Sequence, residues 1–293
     1  MSLLKEKLKN NEFVITAELC PPKGADIGPF REKARYLKGK VDAVNVTDNQ
    51  RAIMRLGALP AAIFLKNEGV EPVYQVICRD KNRIAIQSDL LGASAFGIDN
   101  VLALTGDMIT SGDHQSAKPV FDIESVELIK MITSLNQGRD YNGTELKGAT
   151  NFFIGTSVNP GSSPIEPVLF KFEQKIIVGA EFFQTQAIFE NDKLESFMAH
   201  ARNFDTKIIA GILLLKSARM AHFLNENVPG VKVPDLLIQE LENAESPIEK
   251  GIEIAARQLN EFRKVTDGVH IMCIGSEEKT VDIIEKAKTL HAE

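Results

Sequence analysis

Strand-like and helix-like segments alternate eight times along this chain, and that count constrains its fold more than any other feature. Short alternating or β-branched runs occupy 13–18, 42–47, 72–78, 100–104, 151–157, 181–186, 207–213 and 269–274. Helical patterns lie near 27–39, 52–68, 82–96, 122–137, 164–178, 190–203, 217–226 and 277–291. A further helical pair, 234–244 and 247–265, precedes the last strand. Repeated β-then-α order predicts parallel strands joined by crossover helices. Eight such units predict an α/β (β/α)8 TIM barrel, a fold that typically runs to about 250 residues. A doubly wound open sheet is the rival. The chain has 293 residues, and no linker or longer repeat divides it. Residues 1–293 therefore read as one domain.

Local signals support the segmentation. Asp122 and Ser125 flank the opening of the 122–137 helix, and Pro247 follows Ser246 where a first helical residue would stand. Gly97 and Gly179 sit just past helices, as C′ glycines do. Stretches 106–121 and 138–148 are rich in Gly, Asp and Ser and read as loops.

Composition excludes several classes. The net charge is −6 with no Lys/Arg run, which argues against a nucleic-acid surface. No apolar stretch approaches the ~20 residues of a membrane span. The N-terminal segment MSLLKEKLKNNEF is amphipathic and lacks the apolar region of a signal peptide. Cys20, Cys78 and Cys273 are scattered, which suits a reducing, cytoplasmic setting and supplies no iron–sulfur cluster. There is no GxGxxG, no GxxxxGK[ST] and no HExxH. Histidines 114, 200, 222, 270 and 291 are isolated, so no metal site is expected; His270 alternates into a strand and could face a barrel interior.

The chemistry-bearing residues gather at strand ends, where parallel α/β folds bind ligands. Glu18 ends the first strand before Cys20-Pro21-Pro22, and the prolines stop the ladder there. Thr47-Asp48-Asn49 ends the second, Gln75 lies within the third, and Thr105-Gly106-Asp107 ends the fourth. Thr156-Ser157-Val158-Asn159-Pro160 ends the fifth and Gln186 the sixth. Each residue alone also suits a ladder, turn or cap. In a barrel they meet at one mouth, where two carboxylates and two amides suit a neutral, hydrogen-bonding organic substrate.

Five segments in this order resemble the methylenetetrahydrofolate reductase family, flavoproteins built on an eight-stranded barrel. They are AELCPP at 17–22, VNVT at 44–47, LALTGD at 102–107, KxxxGAEFFQTQ at 175–186 and GILLL at 211–215. The resemblance covers essentially the whole chain. It implies reduction of 5,10-methylene-tetrahydrofolate to 5-methyl-tetrahydrofolate by hydride from a reduced flavin, FAD by resemblance with FMN as the variant. Glu18 and Asp107 are the implied catalytic residues. Glu18 would protonate N10 as general acid, which requires a carboxyl that holds its proton at neutral pH. Asp107 would stabilise the substrate cation. Implied flavin contacts are Thr47, Gln75, Thr105, Gly106, Asp107, Thr156, Asn159, Lys175 and Ala180. Implied substrate contacts are Gln186, Met220 and Leu224.

The chain departs from the family pattern at its edges. Thr105 replaces an arginine, and Gly155 to Asn159 lacks the usual tyrosine and histidine. Gln174 stands for arginine, and Lys216-Ser217 and Met220 alter the seventh loop. Leu224 stands where a phenylalanine packs on substrate and nicotinamide, and Gly275-Ser276 where the resemblance implies an arginine that holds the folate tail. These edges frame the nicotinamide. The split implies that NAD(P)H is not the simple donor and that an iron–sulfur partner subunit delivers electrons, within a homo- or hetero-oligomer. Two other readings compete: a pterin-binding barrel methyltransferase without flavin, and a non-catalytic barrel subunit. Joint presence of Glu18, Asp107 and Gln186 speaks against the last.

Overall fold

The computed structural model describes residues 2–292. Met1 and Glu293, the ends of the one-domain reading, and the side chain of His291 lie outside the described residues. The strands are β1 (Val14–Leu19), β2 (Ala43–Val46), β3 (Pro72–Ile77), β4 (Asn100–Leu104), β5 (Phe153–Val158), β6 (Phe182–Ala187), β7 (Lys207–Leu213) and β8 (Gly268–Met272). They pair in parallel in chain order, and β8 pairs with β1 to close the barrel. Closure rules out the open sheet.

The helices are α1 (Leu3–Lys9), α2 (Gly28–Leu37), α3 (Ala58–Asn67), α4 (Arg83–Ala95), α5 (Ser125–Asn136), α6 (Glu166–Ile177), α7 (Asn191–Ala201), α8 (Ala218–Asn227), α9 (Asp235–Glu242), α10 (Pro247–Phe262) and α11 (Lys279–Ala292). Among the described residues, none is long and apolar enough to cross a membrane. Outward strand residues such as Val44, Val76, Val101, Ile154, Phe183 and Ile271 form the main core with the helices. Inward residues alternate with them. Val14, Ala43, Val73, Leu102, Phe153, Phe182 and Ile209 fill the floor of the barrel, and Leu4 and Leu8 of α1 plug it from below. Burying each leucine contributes about 1.5–3 kcal/mol. The amphipathic N-terminal segment is thus a bottom cap. Gly155 leaves space for the Phe182 ring, which a Cβ there would meet at 2.1 Å.

Most boundaries shift by one to three residues, and three departures have a local cause or consequence. The helix expected from 52 begins at Ala58, because Asn49, Arg51 and Ala52 have positive φ and cannot start a right-handed helix. Helix α5 is capped by Glu124 and Glu127 in a reciprocal box, and Asp122 instead pairs with Arg83. Strand β5 starts at Phe153 rather than 151. The expected terminators hold: Gly97 and Gly179 have φ of +69° and +115°. Ser246 stands at the N-cap position of α10 without a side-chain hydrogen bond, and Pro247 opens the helix.

Candidate active site

Above its apolar floor the barrel interior turns polar. Asn45 of β2 and Gln184 of β6 exchange amide hydrogen bonds across the lumen at 2.6 and 3.2 Å. The Thr16 hydroxyl lies 2.9 Å from His270 Nδ1. One step further up β1, Glu18 is 9% exposed. Its Oε1 accepts from Gln50 Nε2 at 3.1 Å, and its Oε2 lies 3.8 Å from His270 Nε2. Gln75, alternating with the floor residue Val73, also lines the interior. Nearby, the Thr47 hydroxyl donates to Cys20 Sγ at 3.3 Å, and burial raises that thiol's pKa.

Gln50 arrives on a constrained loop. Asn49, Arg51 and Ala52 have φ of +43°, +56° and +55°, conformations that cost non-glycine residues on the order of 1–3 kcal/mol each. The surroundings hold them. Asp107 Oδ2 accepts from Arg51 N at 2.8 Å. Arg79, only 1% exposed, donates to the Asn49 carbonyl at 3.0 Å and the Asp107 carbonyl at 3.2 Å, and pairs with Asp80 at 2.8 Å. Asp113 accepts from Met54 N, and Gly112 packs where an added Cβ would fall 1.8 Å from the Ala52 carbonyl. Asp48 is buried beside this loop. Burial pushes its carboxyl up to about 6, against the nearby Lys81 charge and a backbone hydrogen bond from Ile77.

The fourth strand end brings Thr105, half-buried, then Gly106 at φ +93° and the exposed Asp107. Met54 and Met108 expose 49% and 61% of their surface on the same two loops. Gln186 is exposed at a β-bulge, where β6 slips its register against β7. Gly211 N donates to the Thr185 hydroxyl, which donates to the Gln186 carbonyl. A Cβ on Gly211 would approach the Thr185 and Gln186 carbonyl oxygens to 2.6 and 2.8 Å. Asn159 ties the β5 loop to the α8–α9 connection, donating to the Pro229 carbonyl and accepting from Gly161 N. Lys175 is buried and donates to the Ser157 carbonyl at 2.7 Å, and burial lowers its pKa to about 8. Met220 is half-buried in the first turn of α8.

Four expected site residues offer no free group to the lumen, Lys175 among them because it is buried behind β5 with its ammonium on the Ser157 carbonyl. Thr156 alternates to the helix side of β5 and spends its hydroxyl on the Ala103 carbonyl at 2.8 Å, so it presents nothing to the lumen. Ala180 lies in the turn from α6 into β6, at the opposite end of the barrel, because parallel strands begin where that turn ends. Leu224 is buried in a satellite apolar cluster with Leu213, Val233 and Ile238. Sequence reasoning missed Gln50 and Arg79. A basic-acidic pair, Arg79-Asp80, directly after a fully buried strand was a readable sign. Gln50 carried none, since its placement depends on left-handed backbone in the loop.

The family model for methylenetetrahydrofolate reductase matches residues 3–288. The chain belongs to that family. A curated relative, methylenetetrahydrofolate reductase 2 of Schizosaccharomyces pombe (strain 972 / ATCC 24843), is 24% identical over 227 residues. That match covers 71% of this chain and spans about a third, 33%, of the relative's length. Among solved structures, an uncharacterized protein from Clostridium thermocellum, described as binding two copies of 5-methyl-5,6,7,8-tetrahydrofolic acid, superposes with a TM-score of 0.67. It is 18% identical, and each chain is covered in full, 100%. A 2,3-dimethylmalate lyase of the PEP mutase/isocitrate lyase superfamily has a TM-score of 0.54 at 10% identity, covering 99% of this chain and 85% of the lyase. These two likenesses concern the barrel fold.

Proposed function

We propose that this barrel is a flavin-dependent reductase of 5,10-methylene-tetrahydrofolate, with Glu18 as its general acid. The observation that carries the reading is the placement of Glu18. It is a nearly buried carboxyl at the mouth of a polar lumen, between an amide and an imidazole, in a chain of this family. The solved neighbour, described as binding 5-methyl-5,6,7,8-tetrahydrofolic acid, supports a folate as the ligand.

The residues present fit the ring end of a flavin. Gln75 offers a donor and an acceptor, Thr105 a hydroxyl and Asp107 an exposed carboxylate. Met54 and Met108 offer apolar surface beside them. Thr47, Gly106 and Asn159 line the same end, and Lys175 stands behind β5. When bound, the flavin supplies the hydride. Glu18 gives its proton to N10 as the bond between N10 and the methylene carbon breaks, leaving a cationic iminium at N5. Hydride addition to that carbon completes 5-methyl-tetrahydrofolate, and Glu18 recovers a proton with His270 alongside. The Asp107 carboxylate stabilises the cation, and Gln186 donates to and accepts from the pterin edge. Met220 borders the substrate.

In this reading electrons come from an iron–sulfur partner rather than from NADH alone. Burial of Leu224 supports it, because that side chain offers no face for a nicotinamide. The test is anaerobic. The purified protein should show flavin bands or take flavin up, and the reduced form should reoxidise on mixing with 5,10-methylene-tetrahydrofolate and yield the 5-methyl product. NADH alone should bleach it slowly. A colourless protein with no flavin uptake would favour the methyltransferase, and rapid bleaching by NADH would remove the partner.

A further inference from the structure

We propose that Gln50 is a positioning residue that orients the Glu18 carboxyl, delivered by the left-handed β2 loop and held there by Asp107 and Arg79. Its role beside an acid rests on the reductase reading, whereas the contact itself does not. Three observations carry the inference. The first is the contact: Gln50 Nε2 donates to Glu18 Oε1 at 3.1 Å, which leaves Oε2 on the side of His270. The second is the backbone. Asn49 and Arg51, on either side of Gln50, are both left-handed, as is Ala52, and none of the three is glycine. Such conformations persist only where surrounding structure over-determines them, and they cluster at functional sites.

The third observation is what over-determines them. Asp107 binds the Arg51 N–H, and the buried Arg79 guanidinium binds the Asn49 carbonyl and the Asp107 carbonyl together. The loops after β2, β3 and β4 are thereby locked into one arrangement, and its product at the mouth is the Gln50 amide on Glu18. Asp107 thus has a second task, as an anchor of the loop that carries Gln50.

An amide that donates to a carboxylate favours its ionised form. A rotated amide can accept from the protonated form, so Gln50 can serve both states of an acid that cycles its proton. The titratable groups facing Glu18 are His270 on β8 and Cys20 just past the end of its own strand. Strand β2 alongside contributes the uncharged Asn45, followed by Thr47.

The test follows the side-chain carboxyl 13C signal of Glu18, assigned by its loss in Glu18→Gln, through a pH titration of the full chain without flavin or folate. Gln50→Met keeps the side chain's length and removes the donor. Its Glu18 signal should titrate about one pH unit higher, a tenfold gain in proton affinity, the scale expected for one hydrogen bond to a charged group. Gln50→Glu places a second carboxyl there and should shift it further in the same direction. With flavin loaded, the pH profile of folate reduction should move the same way. Unchanged titration in both variants, with native circular dichroism, would overturn the role of Gln50. Absence of folate reduction with the shift intact would instead count against the reductase reading alone.

Discussion

Asp48 shows how a single buried carboxyl sets a cost for this site. Its folded-state pKa, about 6, lies above the 3.8 of an unperturbed aspartate. Between those values the native state binds the extra proton, so stability falls as pH rises through that window. At about 1.4 kcal/mol per unit the loss reaches roughly 2–3 kcal/mol by neutral pH. Asp48→Asn keeps an acceptor for Ile77 N and removes the titration. In urea unfolding, the variant's advantage over the wild type should grow from near zero at pH 4 to that amount at pH 7. An advantage that does not change with pH would contradict the assignment. At this scale the sequence was partly legible. Glu18 and Gln186 were readable because strand periodicity and prolines mark where a strand ends. Thr156 was misread because a shift of one residue along a strand exchanges lumen for helix side. Gln50 was unreadable because nothing in Asp-Asn-Gln-Arg-Ala announces consecutive left-handed residues.

Among the elements, α6 against β5 holds a buried charge that opposes folding, the Lys175 ammonium. Burial of Lys175 lowers its pKa from 10.5 to about 8, with the Lys171 charge adding to the effect. An unfolded lysine keeps its proton to higher pH than this native one does, so stability should rise between pH 8 and 10.5. Lys175→Met should abolish that rise and be more stable by about 2 kcal/mol at pH 7.5, a gain net of the lost hydrogen bond to Ser157. Paired urea titrations at pH 7.5 and pH 10 check it, and an identical rise in the variant would place the titration elsewhere. Elements themselves were legible as strands and helices in the right order. Connections were not. The β2 loop was taken as helix from 52, and the bulge in β6 left no trace in the pattern, since one inserted residue in a strand resembles ordinary alternation.

For the whole molecule, closure of the barrel turns sequence order into a site. Glu18 and His270 stand 3.8 Å apart because closure makes the first and last strands neighbours, and Asn45 of β2 meets Gln184 of β6 across the lumen. Eight β–α units made that convergence predictable, because all the strands of a closed parallel barrel present their C-terminal ends to one mouth. The family's central motifs converge there too, while Ala180 falls at the other end and Leu224 is buried in an apolar cluster. The central claim is that this convergence exists to deliver a proton from Glu18 to folate. Its most direct test is anaerobic single-turnover reduction of 5,10-methylene-tetrahydrofolate by flavin-loaded Glu18→Gln beside the wild type. Loss of a general acid predicts a fall of about 10²–10⁴-fold in rate, with the flavin spectrum and flavin content unchanged. A variant that reduces folate at near the wild-type rate would contradict the account.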